Sequence, residues 1–340
     1  MHFPIDPNFP HKNEDNEYLD SLKDIPVNPV FIMGLHRSGT TFLYDSISRC
    51  FPVANLTLYD IFCYHRLLKN RREGREDAER QHLNRVFRSL GITDRRLDSV
   101  WVEDTTVEEY GWLLRNESHH ISIHQTNKDY FAQICKKLLA LNPDAQSVLM
   151  KNPWDTGNAK QILEWFPNAR FIYITRDPIS ILNSQMNAFL TLVTGSQPFQ
   201  TMLLDNFKVP GGAYAMPAFY GVWKAVRGIK AIFGDAVFSF FTRPFTALSV
   251  QEQLSDYYGD MKVLPKESFM TLTYGGFNND PVGKLKEIQT FLDLPFTSSP
   301  EEISPSPRKG HLKESLKKYE PKLMKRLHKK LGHSAAVDNK

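Results

Sequence analysis

The sequence lacks the features that mark several protein classes. Its 340 residues include only three cysteines, Cys50, Cys63 and Cys135, which lie far apart, without a CxxC pair or a histidine at metal-ligand spacing. We therefore expect no disulfide framework and no metal site, and the cysteine usage favours a reducing, cytoplasmic location. No stretch approaches about 18 consecutive apolar residues, so no transmembrane helix is predicted. The polar N-terminal residues do not resemble a signal peptide.

Charge is nearly balanced over the whole chain but not along it. There are 42 Lys and Arg against 38 Asp and Glu. From Arg308 onward there are 11 basic and 3 acidic residues, which leaves the rest mildly acidic. Attraction to phosphate is thus concentrated at one end, which argues against a general nucleic-acid-binding protein. With 41% hydrophobic residues, the sequence is also too apolar to be disordered over most of its length.

Short apolar runs alternate with helical patterns along the chain. The alternation predicts a parallel sheet covered by helices on both faces. We therefore predict an α/β fold, a single doubly wound parallel sheet with helical insertions, after an irregular lead-in at residues 1–27 and before a basic C-terminal helix or tail at 313–340. The predicted strands are 28–33, 147–150, 170–175 and 269–273, and the predicted helices are 40–50, 60–70, 76–90, one starting after 103–106, 157–166, 179–192, 215–231 and 281–293.

The most informative motif follows the first predicted strand. Gly34-Leu-His-Arg-Ser-Gly39-Thr40-Thr41 connects that strand to a helix. This geometry directs backbone N–H groups and the positive end of the helix dipole at an anion. The spacing matches a P-loop, except that Thr40 replaces the lysine of a nucleotide triphosphatase and Arg37 supplies a cation. Because no strand ends in an acidic magnesium ligand, the motif favours binding of a 5′-phosphate over ATP hydrolysis.

Two further motifs could bind phosphate. Arg176 ends the third predicted strand, at the sheet edge where open α/β sheets bind ligands, and Ser184 follows in the next helix. Alternatively, Asp177 and Pro178 only begin that helix. The third motif, Arg308-Lys309-Gly310, combines two cations with a glycine turn. It is also compatible with an ordinary basic tail.

Together the three motifs resemble those of the sulfotransferases that use 3′-phosphoadenosine 5′-phosphosulfate, over residues 28–312. The resemblance implies a P-loop NTPase-like sulfotransferase fold for these residues. It also implies that the first motif binds the 5′-phosphosulfate and that the other two bind the 3′-phosphate. The implied donor-binding residues are His36, Arg37, Ser38, Gly39, Thr40, Thr41, Arg176, Ser184, Arg308, Lys309 and Gly310.

The resemblance extends to the end of the second predicted strand. Lys151 matches a lysine that stabilises the transferring sulfuryl group in cytosolic members, but Pro153 replaces their catalytic histidine. We expect Arg37 and Lys151 to stabilise the charge that develops during sulfuryl transfer to a hydroxyl or amine, without a metal ion. A lysine at a strand end can also merely reach solvent.

The sequence offers several candidates for the general base and does not decide between them. The tyrosylprotein branch uses a glutamate about two dozen residues beyond its loop arginine, and Asp60 lies close to that spacing, with His65 one helical turn later. Asp60 could instead be a helix N-cap. Later candidates are Glu108 and Glu109, in a segment that resembles an acidic stretch of bacterial members, and His119 and His120.

The sequence says least about the pocket that binds the acceptor. Segment 186–246 is rich in large apolar residues, which core packing explains in most cases, but a lid formed from it would favour an apolar or aromatic acceptor. A small molecule, lipid or sugar is expected, and peripheral membrane contact through Lys224, Arg227 and Lys230 is a further hypothesis. The alternatives are a P-loop kinase and a non-catalytic nucleotide-binding scaffold. The apolar candidates include Phe189, Tyr214, Phe219, Tyr220, Trp223 and Phe240.

Overall fold

The computed structural model describes residues 13–96, 100–118, 120–194, 198–205, 215–304, 312 and 314–331. One five-stranded parallel sheet, in the order β2-β3-β1-β4-β5, organises the described residues and confirms the predicted α/β fold. The strands are β1 (Pro29–Met33), β2 (Val53–Asn55), β3 (Ser147–Lys151), β4 (Arg170–Thr175) and β5 (Phe269–Thr273).

Burial on both faces explains the apolar runs of the inner strands. Every residue of β1 and β3 is buried, as expected for parallel strands that are covered by helices. Across the β1–β4 pair, Phe31 lies opposite Phe171, and their rings stack with centroids 5.5 Å apart. Four strands were predicted from sequence. β2 was not, because three residues are too few to show an alternating pattern.

The helices account for most of the remaining described residues. In this part of the chain, no helix combines the length and apolar character needed to cross a bilayer. The helices are α1 (Thr40–Cys50), α2 (Leu58–Phe62), α3 (Leu67–Arg72), α4 (Glu76–Ser89), α5 (Gly111–Ser118), α6 (Lys128–Leu141), α7 (Ala159–Trp165), α8 (Pro178–Leu192), α9 (Pro198–Asp205), α10 (Ala215–Val263), α11 (Tyr274–Asn279), α12 (Pro281–Leu292), α13 (Glu314–Lys317) and α14 (Glu320–Leu331).

Three helix predictions needed correction. The helix predicted over 60–70 is two short helices, α2 and α3, joined by a 3-10 turn. The helix expected to start after 103–106 begins only at Gly111. The helix predicted over 215–231 continues to Val263 as α10, and Gly234 interrupts it with non-helical backbone angles (φ 76°, ψ 173°). α6 was missed.

The chain forms two compact units. The first contains the described residues within 1–29, 53–150 and 191–228, and the second those within 30–52, 151–190 and 229–340. β4 and β5 belong wholly to the second unit, together with residues 30–33 of β1.

A buried ion pair lies in the first unit. The Lys137 ammonium is 2.7 Å from the Asp15 carboxylate, and neither side chain is exposed. Lys137 also donates to the backbone carbonyl of Tyr64 at 2.8 Å, while Asp15 accepts backbone N–H groups from Leu68 and Lys69 at the start of α3. Burial lowers the pKa of Lys137. This pair connects the N-terminal segment to α3 and α6 of the same unit.

Candidate active site

The loop after β1 can leave the sheet only through a glycine. A Cβ on Gly34 would lie 2.4 Å from the carbonyl oxygen of Ile174 in β4. The Gly34 N–H donates to the Thr156 hydroxyl, which in turn donates to the Gly34 carbonyl, each over 3.2 Å. Thr156 therefore fixes the start of the loop.

The second half of the loop leads into α1. The buried Ser38 hydroxyl donates to the carbonyl of Leu35 at 2.8 Å, so Ser38 braces the turn from inside. Gly39 is the N-cap of α1 with φ 105°, and a Cβ there would lie 2.4 Å from Cδ2 of Tyr274. Glycine is thus required for both backbone angle and space. The N-terminus of α1 follows it, and the backbone N–H groups of a helix start are suited to binding an anion.

Arg37 brings the first two phosphate motifs together. Its backbone is left-handed (φ 76°), which is uncommon for a residue with a side chain. Its Nε–H donates to the Ser184 hydroxyl on α8 over 2.9 Å. The neighbouring Gln185 amide donates to the carbonyl of His36 at 3.1 Å. Two hydrogen bonds therefore connect the loop to α8.

Lys151 ends β3 beside the start of α1. The side chain is buried, and its ammonium donates to the Thr41 hydroxyl at 3.2 Å. The same ammonium lies 6.0 Å from the ring centroid of Tyr44. The Lys151 ammonium therefore lies beside the first turn of α1, the end of a helix that favours negative charge.

Arg176 and Tyr274 pack against each other beside the loop. The guanidinium of Arg176, just after β4, lies 4.6 Å from the ring centroid of Tyr274, just after β5. The same ring contacts Gly39. Arg37, Lys151 and Arg176 thus lie at or soon after the carboxyl ends of β1, β3 and β4, the edge at which parallel α/β sheets bind ligands. Asp177 accepts the Ser180 N–H at 3.1 Å, so it also caps the start of α8.

A buried carboxyl supports the segment between β3 and α7. Asp260 of α10 accepts N–H groups from Gly157 at 2.7 Å and Ala159 at 3.3 Å. The hydroxyl of Tyr173 in β4 donates to it as well, at 2.9 Å. Burial raises the pKa of Asp260 to about 6. Because Thr156 lies in this segment, Asp260 indirectly supports the two hydrogen bonds between Thr156 and Gly34.

Asp60 and His65 lie in the first unit. Thr57, not Asp60, is the N-cap of α2, so the N-cap hypothesis is wrong. Asp60 is the third helical residue, and its carboxylate accepts from the Thr57 N–H at 2.8 Å and hydroxyl at 2.6 Å. Burial raises the pKa of Asp60. Burial and, to a smaller extent, the nearby Lys137 charge lower the pKa of His65 to about 4.

The later base candidates have structural partners in the first unit. Glu108 is buried and paired with Arg95 at 3.3 Å, and its carboxylate accepts the Glu109 N–H at 3.0 Å. His120 stacks on His124 with centroids 4.4 Å apart. His119 lies outside the described residues.

Several other candidates lie outside the described residues. They include the third phosphate motif, Arg308, Lys309 and Gly310, and the apolar candidate Tyr214. Of the remaining apolar candidates, Phe189 stacks on Phe238 at 5.6 Å, whereas Phe240 is exposed. The described residues contain no group of three or more His, Cys, Asp or Glu side chains placed to hold a metal ion.

Sequence reasoning missed Thr156, Gln185 and Tyr274. Thr156 and Tyr274 come soon after β3 and β5, so the expectation that ligand sites lie beyond strand ends would have included them. No sequence pattern identifies Tyr274 as the neighbour of Gly39, because that contact depends on how β5 pairs with β4.

The strand, glycine loop and helix start, with cations at the ends of adjacent strands, define an α/β protein with a P-loop-like turn. A family model described as "Sulfotransferase family" matches residues 29–208, more than half of the chain. The chain therefore belongs to the sulfotransferase family, as the motifs predicted. No curated protein matches the sequence.

Two solved structures share the fold. Sulfotransferase STF9 from Mycobacterium avium has a TM-score of 0.60 and 13% identity, over 92% of this chain and 80% of that one. Sulfotransferase STF1 from Mycobacterium tuberculosis H37Rv has a TM-score of 0.54 and 15% identity, over 94% of this chain and 80% of that one. At these identities the likeness concerns the fold alone.

Proposed function

We propose that this sulfotransferase uses 3′-phosphoadenosine 5′-phosphosulfate as its donor, through a transferase domain spanning residues 28–312. The observation that carries the proposal is the Arg37–Ser184 hydrogen bond of 2.9 Å. It joins the loop suited to a 5′-phosphate to the motif that resembles a 3′-phosphate site. A donor with phosphate at both ribose positions suits this arrangement better than ATP does.

Each cation then has a role. The backbone donors of residues 38–41 and the α1 dipole bind the 5′-phosphosulfate. Lys151, held against Thr41, stabilises charge on the sulfuryl group and the leaving phosphate oxygen. Arg176 and Ser184 bind the 3′-phosphate, and Arg37 lies between the two ends. Arg308, Lys309 and Gly310 are proposed to complete the 3′-phosphate site.

The transfer breaks the bond from sulfur to the bridging phosphate oxygen and forms a bond from sulfur to the acceptor oxygen or nitrogen. The acceptor proton passes to a base, and the leaving phosphate keeps the electron pair of the broken bond. Asp60 is the first candidate base because its raised pKa favours proton uptake. His65 is second, since a pKa of about 4 makes it a weak base.

For the acceptor we propose an apolar or aromatic small molecule, lipid or sugar derivative with a free hydroxyl or amine. Trp154 is 53% exposed and meets the His36 ring edge-on, with centroids 4.9 Å apart. This gives the loop an apolar neighbour. A reducing cytoplasmic location is also proposed, because Cys50, Cys63 and Cys135 are free and buried.

Calorimetric titration with adenosine 3′,5′-bisphosphate, compared with ATP and magnesium, tests the donor. We expect the bisphosphate to bind the more tightly. Preferential binding of ATP and magnesium would move the protein to the kinase class. Absence of binding by either would make the phosphate motifs relics of the fold and leave a scaffold without a nucleotide ligand.

Two variants test the assigned roles. Arg176→Ala is expected to weaken bisphosphate binding at least tenfold, the scale of a charge-assisted contact, and to leave adenosine 5′-phosphate unaffected. Arg49→Ala is a matched control, since Arg49 is an exposed cation of α1 paired with Asp45. Lys151→Met should abolish turnover but retain bisphosphate affinity, and full activity in this variant would disprove the role of Lys151.

A further inference from the structure

The helical segment after Gly234 carries apolar side chains on two faces. Phe238, Ala247 and Val250 are buried in the second unit. A second set at helical spacing, Val237, Phe240, Phe241, Phe245 and Leu248, is exposed, with Phe245 reaching 75%. We call this set the apolar stripe. A helix at the surface normally has a polar outer face, so a stripe of this kind indicates an interaction site.

The apolar surface continues on the preceding part of the helix. Ile229, Ile232 and Phe233 are exposed, Ile232 by 77%. Single exposed apolar residues are common on soluble proteins, but eight within 20 residues are not explained by chance exposure.

A basic helix lies beside the apolar stripe. Arg243 of α10 stacks over Tyr319, just before α14, at 5.0 Å, and Lys330 of α14 pairs with Glu252 of α10. The second contact lies further along both helices than the first, so α14 runs alongside α10 in the same direction. Leu323 and Leu327 of α14 are buried. The exposed side chains of α14 include Lys322, Lys325, Arg326, Lys329 and Lys330.

The acidic residues near this surface leave the cationic excess in place. Asp235 is paired with Lys230 at 3.2 Å, and Glu252 is paired with Lys330. Within α14, only Glu320 is acidic. The surface therefore combines large apolar side chains with an excess of positive charge.

We propose that the apolar stripe and α14 together bind the surface of an anionic lipid bilayer. The phenylalanine rings would enter the boundary between headgroups and acyl chains, while the lysine and arginine side chains of α14 contact anionic headgroups. A second copy of the chain suits this surface less well. A twofold contact through the stripe would bring two α14 helices, both positively charged, towards each other.

Sedimentation with lipid vesicles tests the proposal. The full-length protein is mixed with vesicles of phosphatidylcholine alone, or of phosphatidylcholine with roughly one-third phosphatidylserine. We expect binding to the anionic vesicles, reduced by added salt, and much weaker binding to the neutral ones. Equal binding to both, or binding to neither, would overturn the proposal.

Two variants and two matched controls test whether vesicle binding occurs through the apolar stripe and α14. Phe240→Ser/Phe241→Ser/Phe245→Ser and Lys325→Glu/Arg326→Glu should each weaken anionic-vesicle binding by at least about tenfold. Val263→Ser removes an exposed apolar side chain outside the stripe, and Arg85→Glu/Arg88→Glu makes the same charge change on α4. Both controls should bind as wild type does. Thermal unfolding checks that every variant is folded, and surface substitutions of this kind have little effect on it.

Light scattering without lipid measures whether the protein is a monomer or a dimer, which tests the alternative that the stripe binds a second copy. A monomer is expected at every concentration. A dimer that the triple serine variant dissolves would overturn the proposal and make the stripe an interface between copies. Loss of vesicle binding in the controls as well as in the variants would also overturn the assignment to this surface.

Discussion

The Nε–H of Arg37 donates to the hydroxyl of Ser184 over 2.9 Å, although 147 positions separate the two residues in sequence. Arg37 belongs to the loop after β1, and Ser184 belongs to α8 after β4. Because β1 and β4 are paired in parallel, their carboxyl ends bring these two segments to the same edge of the sheet. The sheet thus joins two motifs that the sequence presents separately.

The left-handed backbone of Arg37 has a measurable cost. Arg37→Gly is expected to be more stable than Arg37→Ala by about 1 kcal/mol, because glycine adopts φ 76° without steric penalty. Urea denaturation measures the difference. At the exposed helical residue Arg85, the order should reverse, since glycine is about 1 kcal/mol worse than alanine in a helix. Equal stability of the two Arg37 variants would show that the residue carries no strain.

Gly34 and Gly39 are expected to differ in tolerance. Gly34→Ala places its Cβ 2.4 Å from a backbone carbonyl of β4, and Gly39→Ala places it 2.4 Å from the Tyr274 side chain. Since backbone gives way less easily than a side chain, Gly34→Ala should cost more, about 3 kcal/mol against about 2 kcal/mol. Gly91→Ala has a positive φ but no clash, so it is the control. Thermal unfolding that ranks Gly91→Ala as the most destabilised would refute the steric argument.

Asp260 should make stability depend on pH. The folded chain keeps its proton up to about pH 6, whereas an unfolded chain loses it near 3.8. Between these values the folded state binds more protons, so this contribution is complete below pH 3.8 and is lost as pH rises through about 6. Asp260→Asn removes it. The stability of wild type relative to this variant should therefore fall by about 3 kcal/mol from pH 3.5 to 7.5, measured by urea denaturation.

Tyr173→Phe gives a second check on the same carboxyl. The Tyr173 hydroxyl favours the charged form of Asp260, so its removal should shift the midpoint of the pH dependence upward. A midpoint that stays in place or moves down would assign the pH dependence to another group.

The buried pair of Asp15 and Lys137 should show strong coupling. Lys137→Met leaves a buried carboxylate without its cation, and Asp15→Asn leaves a buried ammonium, so each is expected to cost roughly 3–5 kcal/mol. The double variant retains an acceptor for the backbone N–H groups of α3 and buries no charge. It should be more stable than either single variant in a double-mutant cycle measured by denaturant unfolding. Additive losses would contradict the pairing.

Local sequence patterns located the loop of the candidate site but not the residues that pack against it. Local patterns identify Gly34, Gly39 and Arg37, because a strand, a glycine turn and a helix start are adjacent in sequence. The contacts of Thr156 and Tyr274 with this loop depend on strand order and on packing between distant segments, which periodicity does not encode.

The fold was predicted to a similar extent. Four strands of five or six residues were identified, whereas β2, with three, was too short to detect. The helix predicted over 60–70 divides because Asp15, far away in sequence, accepts the N–H groups that begin α3. Tertiary contacts of this kind override local propensity.

The contact between Tyr274 and Gly39 also has a consequence for biosynthesis. The loop is translated before Tyr274, which follows β5 and comes far after Gly39 in sequence. A nascent chain therefore lacks this contact until the intervening residues have been synthesised. The Tyr274 ring reaches Gly39 only after β5 has left the ribosome and paired with β4.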